Sequence, residues 1–221
     1  MGTIAVITAG LAEPSSTRLL ADLLAVAVAA ELPEASIELV ELRPLAHAIT
    51  DAMLTGFPSG ELARVVGLVA RADAVVAVTP VFNASYSGLF KSFFDVLEPG
   101  ALDGTPVLIG ATAGTARHSL VLEHALRPLL GYLHAVVVPT AVFAASEDWS
   151  SRKAGTSGAA VDGALRARVT RAAGELAALL RGGAAAKPRL DPSASSGQRQ
   201  FDRGVAAMGS FEDLLSGPTP G

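Results

Sequence analysis

The sequence predicts an α/β domain in which a five-stranded parallel sheet is covered by helices on both faces. Two observations carry this. Five short apolar runs alternate along the chain with segments whose apolar residues recur at helical spacing, the order expected of βαβ units. One of the runs, Ala74 to Val78, is apolar throughout, as a strand covered on both faces is.

Each element has its own warrant. Ile4 to Ile7 reads as the first, central strand, and the loop from Thr8 to Ser16 is made of small residues, a proline and two serines. A helix over Thr17 to Ala30 follows, with Leu19, Leu20, Leu23, Leu24, Ala27 and Val28 on one stripe and Ser15 or Ser16 as N-cap. Ile37 to Leu42 reads Ile-Glu-Leu-Val-Glu-Leu and suits a more exposed second strand. Arg43 to Gly60, with Pro44, Pro58 and two glycines, reads as a long connection. Glu61 to Arg71 is a short helix that turns Leu62, Val65, Val66 and Val69 inward. The third strand, Ala74 to Val78, leads into Thr79-Pro80, a small polar loop over Val81 to Ser87, and a helix after Gly88. Leu89, Phe90, Phe93, Phe94 and Leu97 recur along that helix. Leu102-Asp103-Gly104 turns the chain into a fourth strand, Pro106 to Ile109, and Gly110 to Thr115 is a second small-residue loop. Ala116 to Leu133 is helical by spacing, with Pro128 kinking it or restricting its start. Ala135 to Val138 is the fifth strand, and Val161 to Leu180 the last amphipathic helix. Right-handed crossovers joining five such strands favour the order 2-1-3-4-5, a flavodoxin-like three-layer sandwich.

This domain is expected over residues 1–181. From Gly182 to Gln200 the composition turns to Gly, Ala, Pro and Ser, the signature of a linker. Phe201 to Leu215 carries Phe201, Val205, Met208, Phe211, Leu214 and Leu215, which predicts a C-terminal docking tail within 182–221.

Composition excludes several classes. Half of the 221 residues are apolar and 17% are charged, which describes a folded core. With 21 acidic and 17 basic residues the chain has no basic field to attract nucleic acid. Without cysteine it has no disulfide, thiolate metal site or cysteine nucleophile. The start lacks the basic and apolar regions of a signal peptide, and no apolar run is long enough for a membrane span, so a cytoplasmic protein is expected.

Three loops at the carboxyl ends of strands one, three and four should converge on one crevice. The first ends at a helix start in Pro14-Ser15-Ser16-Thr17-Arg18. Free backbone N–H groups, three hydroxyls and Arg18 make it an anion site, and with neither a P-loop lysine nor G-x-G-x-x-G it suits a monophosphate better than a triphosphate. Taken alone, the serines read as a simple N-cap. In the second loop the hydroxyls of Ser85, Tyr86 and Ser87 beside Phe82 suit a flat ligand with a polar edge, and an ordinary βα turn accounts for the same pattern. The third, Thr112 to Thr115, offers backbone N–H groups, and Gly114 permits close approach to a planar ligand. Arg117 and His118 follow it in the first turn of the next helix, where they face either the ligand mouth or solvent, the mouth being the favoured reading. Other chemistries lack their residues. A phosphoacceptor receiver domain needs acidic residues where Thr8-Ala9-Gly10 and Thr79-Pro80 stand, and a serine hydrolase needs G-x-S-x-G. The histidines and Glu123 do not have H-E-x-x-H spacing, so no metal site is expected.

Three stretches together resemble the NADPH-dependent FMN reductase family. They are Ala9-Gly10 with Pro14-Ser15-Ser16-Thr17-Arg18-Leu19-Leu20-Ala21, then Thr79-Pro80-Val81-Phe82-Asn83-Ala84-Ser85-Tyr86-Ser87-Gly88-Leu89-Phe90-Lys91, then Ala111-Thr112-Ala113-Gly114-Thr115-Ala116-Arg117-His118. The resemblance covers roughly residues 3 to 180 and is strongest to the actinobacterial FMN reductases, related to the reductase partners of alkanesulfonate monooxygenases. It implies an FMN-binding enzyme that transfers hydride from NADPH or NADH to flavin and supplies a flavin-dependent monooxygenase. It further implies that Ser16, Thr17 and Arg18 hold the FMN phosphate, with Gly10 also among the cofactor-binding residues. Pro80, Val81, Phe82, Asn83 and Ser85 would line the isoalloxazine ring, Thr112, Ala113, Gly114 and Thr115 would contact its pyrimidine edge, and Arg117 would stand at the mouth. Leu11 departs from the pattern, where relatives often have Ser, and many relatives lack so long a tail. No catalytic acid or base is required, because the flavin carries the chemistry. A homodimer or homotetramer is expected. A flavodoxin-type electron carrier and a quinone or azo reductase share this fold and stand as alternatives. Against the carrier, the net charge is only −4 and the single Trp149 lies outside the three loops.

Overall fold

The computed structural model describes residues 2–149 and 161–183. Its sheet contains β1 (Thr3–Thr8), β2 (Ser36–Glu41), β3 (Ala74–Phe82), β4 (Ser85–Tyr86), β5 (Pro106–Ala113), β6 (Val136–Val137) and β7 (Val142–Ala145). The path runs β2-β1-β3-β5-β6, parallel throughout, with β4 antiparallel to β3 and β7 parallel to β5. This is the flavodoxin-like 2-1-3-4-5 order, with the fifth place shared by two short strands. The expected docking tail lies outside the described residues.

Side chains alternate across the central strands and so divide between two cores. Ile4, Val6, Ala74, Val76, Val78 and Leu108 pack with α1 (Ser16–Glu31) and α6 (Gly163–Arg181). Ala5, Ile7, Val75, Ala77, Val107 and Ile109 pack with α2 (Ala46–Thr55), α3 (Gly60–Arg71), α4 (Gly88–Asp95) and α5 (Arg127–Tyr132). Gly110 lets α1 lie close to the sheet, since a Cβ there would meet Leu20 and Leu24 at 3.3 Å.

Four expectations are corrected. Arg43 to Gly60 is not a mere connection. Pro44 lies in the first turn of a 3-10 segment, Arg43–Leu45, where its missing N–H costs nothing, and α2 follows until Gly56, at φ 81°, stops it by donating to the Ala52 carbonyl. In α3, Leu68 rather than Val66 joins Leu62, Val65 and Val69 in the buried set. The helix expected over Ala116 to Leu133 is three pieces: a 3-10 turn at Ala116–His118, a π turn at Leu122–Leu126, and α5. Pro128 has no N–H for the His124 carbonyl, so the turn before it widens and a new helix starts there. The fifth strand breaks at Pro139 and resumes as β7. The Arg127 guanidinium donates to the carbonyls of Val138 and Pro139 at 3.1 Å each, and Glu175 accepts from the Thr140 N–H and hydroxyl at 2.6 Å. Side chains from both helical layers thereby satisfy backbone groups that a continuous strand would have paired.

Candidate functional site

β3 and β5 run past the points where their apolar runs end. Their register pairs Thr79 with Ala111 and Pro80 with Thr112, so the second and third loops start side by side. Thr8 of β1 pairs with Val78, which brings the first loop to the same edge. The small polar loop expected over Val81 to Ser87 is a hairpin: Val81 and Phe82 belong to β3, and only Asn83 and Ala84 turn. Both turn residues have positive φ, 47° and 65°, as a tight two-residue hairpin turn demands. The turn leaves Phe82, Asn83 and Ala84 exposed at the rim, with Ser85 half-buried beneath them. In the same way Thr112 and Ala113 are strand residues, and Gly114, Thr115 and Arg117 are exposed beyond them.

Two hydroxyl pairs fix these loops, one on each face of the sheet. On the α1 face, Thr17 Oγ1 and Thr112 Oγ1 lie 2.8 Å apart, both buried. One of them donates to the other, which leaves a single hydroxyl hydrogen for an outside acceptor. On the α4 face, the fully buried Thr79 Oγ1 accepts the Ser87 N–H at 3.0 Å, and Ser87 Oγ accepts the Phe90 N–H at 3.2 Å. Ser87 therefore caps α4 and is not among the hydroxyls facing a ligand. Tyr86 packs its ring against Phe90, with centroids 5.9 Å apart, and with Ser85 it lines an open hollow that Lys91, Asp95 and Tyr132 also border.

The first loop closes tightly on itself. A Cβ at Gly10 would lie 2.2 Å from Ser15 Oγ, so a larger residue would push the Ser15 cap aside. Ser15 caps α1 by accepting the Arg18 N–H at 3.2 Å. Ser16 is exposed, and its N–H and that of Thr17 have no acceptor among the described residues. The Arg18 guanidinium lies 2.9 Å from Asp22 and 2.7 Å from Glu41. These carboxylates, Asp22 foremost, raise its pKa above the ordinary value. Arg18 thus brings a positive charge to the loop from a position already fixed by two acids. Thr8 Oγ1, two residues before Gly10, is buried without a hydrogen-bond partner among the described residues.

The sequence reading missed a fourth contributor to this edge. β7 pairs Ala144 with Thr112 and Ala145 with Ala113, so the turn Ser146–Trp149 follows directly beside the third loop. Asp148 holds that turn by accepting the Ala145 N–H at 2.7 Å. The signal was the apolar run Val142–Ala145 after Pro139, buried throughout. Between the hairpin and the segment after β5 lies an open groove of about 340 Å³, bordered by Ala84, Ser85, Arg117, His118, Leu120 and His124.

The family model for NADPH-dependent FMN reductases matches residues 3–150 of this chain. The chain belongs to that family. It is an oxidoreductase that reduces FMN with a nicotinamide nucleotide. It is 35% identical to an FMN reductase (NADPH) of Pseudomonas aeruginosa over 81% of this chain and 92% of the relative. It is also 35% identical to the NADH-dependent FMN reductase SfnE of Pseudomonas putida, over 77% of this chain and 88% of that one. Among solved structures it resembles an oxidoreductase from Corynebacterium diphtheriae, with 47% identity and a TM-score of 0.75 over 82% of this chain and 98% of that chain. Among the described residues of this FMN reductase no helix is long and apolar enough to cross a membrane.

Proposed function

We propose that this reductase binds FMN across the carboxyl edge of its sheet and releases reduced flavin to a flavin-dependent monooxygenase. The observation that supports this is the edge itself: three loops meet there, and each leaves polar groups unpaired where FMN has a complementary part. The amides of Ser16 and Thr17, the Ser16 hydroxyl and the positive end of α1 would hold the phosphate in the loop that Gly10 closes, with Arg18 adding charge. Pro80, Val81, Phe82, Asn83 and Ser85 would line one side of the ring. Thr112, Ala113, Gly114 and Thr115 would meet its pyrimidine edge. A Cβ added at Gly114 would touch nothing within 4 Å, so packing within the protein does not require glycine there and the space beside it is free for a flat ligand.

When bound, FMN supplies the chemistry, accepting hydride from the nicotinamide. The chain's own part is position and electrostatics. Backbone N–H groups of the loop after β5 would stabilise negative charge on the pyrimidine edge. Hydride transfer needs the two rings about 3–3.5 Å apart, and hence one open ring face. The rim residues Phe82, Asn83, Ala84 and Gly114 are all exposed, so none of them is packed down over the edge. The same opening lets a reduced flavin leave.

Anaerobic mixing tests this. NADPH or NADH added to FMN-loaded protein should bleach the flavin at a rate that saturates with nucleotide, and a large excess of free FMN should then be bleached completely. Bleaching that stops at one equivalent of flavin per chain would identify an electron carrier and overturn the release of reduced flavin.

A further inference from the structure

The groove beside the hairpin starts at the rim of the proposed ring site, since Ala84 and Ser85 form one wall and Arg117 stands two residues after Thr115. A dinucleotide whose nicotinamide lies over the ring must carry its adenosine end out of the crevice along some wall. The groove's charge is one-sided. Arg117, His118 and His124 line it, and no carboxylate does. The neighbouring acid, Glu123, is turned to Arg127 at 2.7 Å. Arg117 forms no ion pair among the described residues, whereas Arg18 and Arg127 are both bound to acids. A free guanidinium in such a groove matches a phosphate, whose oxygens accept both arms of its fork. Beside Arg117 and the two imidazoles Leu120 is 63% exposed, an apolar surface of the kind a purine covers. NADPH differs from NADH only in the phosphate on its adenosine ribose.

We propose that this groove takes the 2′-phosphate of NADPH, with Arg117 as its principal donor, His118 and His124 as further donors, and Leu120 as the bed of the adenine. This rests on the reading of the edge as the flavin and nicotinamide site, and it makes Arg117 the residue that sets nucleotide choice.

The direct test titrates the FMN-loaded full chain calorimetrically with 2′,5′-ADP and with 5′-AMP, neither of which can reduce flavin. The first should bind more tightly. Arg117→Ala should weaken 2′,5′-ADP by roughly 10- to 100-fold, the loss of charge-assisted hydrogen bonds, and leave the 5′-AMP affinity nearly unchanged. Arg117→Lys should fall between, since it keeps charge without the fork. In steady state the ratio of kcat/KM for NADPH over NADH should drop by the same factor in Arg117→Ala. An unchanged melting temperature and FMN affinity would show that the exposed substitution leaves the fold intact. Equal losses for both probes, or no loss for either, would overturn the proposal. A protein that reduces FMN equally well with both nucleotides would also overturn it while leaving the reductase reading intact. Failure of both nucleotides to reduce FMN would overturn the reductase reading, and the calorimetry would still report on the groove.

Discussion

The turns after β1 and β3 end in the same device and put it to different use. Each carries the chain from a strand end to a serine that caps a helix, Ser15 for α1 and Ser87 for α4, and each serine accepts the N–H three residues on at 3.2 Å. Ser87 is fully buried, and its own N–H is bonded to Thr79. The polar groups of the capping serine itself are satisfied inside the protein, although the Gly88 and Leu89 amides that follow it have no acceptor among the described residues. Ser15 is half-buried, Ser16 beside it is exposed, and the first amides of α1 have no acceptor among the described residues. What separates the two helix starts is the serine: Ser87 is buried and bonded on both sides, whereas the α1 start presents the exposed Ser16 hydroxyl beside its free amides, which suits the anion site proposed there. Local sequence hardly separates them: Ser15-Ser16-Thr17 and Ser85-Tyr86-Ser87 are both short hydroxyl runs before an apolar helix.

Substitutions on the two sides should therefore fail in different assays. The largest effect is expected at the open cap. Replacing Ser16 and Thr17 together by Ala should weaken FMN binding by about 1–3 kcal/mol, since hydrogen bonds to a charged phosphate are lost. Riboflavin, which lacks the phosphate, is the control, and equal weakening of both flavins would show that the loop does not hold it. At the closed cap, Thr79→Val removes the acceptor of a buried N–H. Unfolding in urea should report a loss of about 1–2 kcal/mol with little change in FMN affinity. If FMN affinity falls instead, the α4 cap is part of the ligand site and the contrast drawn between the two turns collapses. The smallest effect is expected for Arg18→Gln. The guanidinium is already engaged by Asp22 and Glu41 and is 38% exposed, so FMN binding should weaken by less than about 1 kcal/mol. A loss as large as that of the Ser16 and Thr17 variant would mean that Arg18 leaves its two acids for the phosphate.

Much of the molecule was legible in one dimension. A strand covered on both faces must be apolar at every position, so Ile4 to Ile7 and Ala74 to Val78 announced themselves, and the strand order followed from how few right-handed arrangements five such strands allow. Helices with a strong apolar stripe, α3 and α4, were legible from their spacing, and so were the longer α1 and α6. α2 was not, because Pro44, Pro58 and Gly56 surround it, and the same residues that signal loops also start and stop helices. The break in the fifth strand was hidden too, since the groups that make it tolerable, Arg127 and Glu175, are distant in sequence and belong to opposite helical layers.

The sequence by itself determined the elements, their order and the kinds of residue at the strand ends, because these depend on periodicity and on the chemistry of short segments. Which of those residues face a ligand was decided only by tertiary structure. Thr17 meets Thr112 across 95 positions, Thr79 binds Ser87 across eight, and Arg117 comes to share a groove with Ser85. A hydroxyl or a guanidinium is available to a ligand only if no neighbour in the fold has claimed it, and those neighbours are set by strand register and helix packing, which no local window contains.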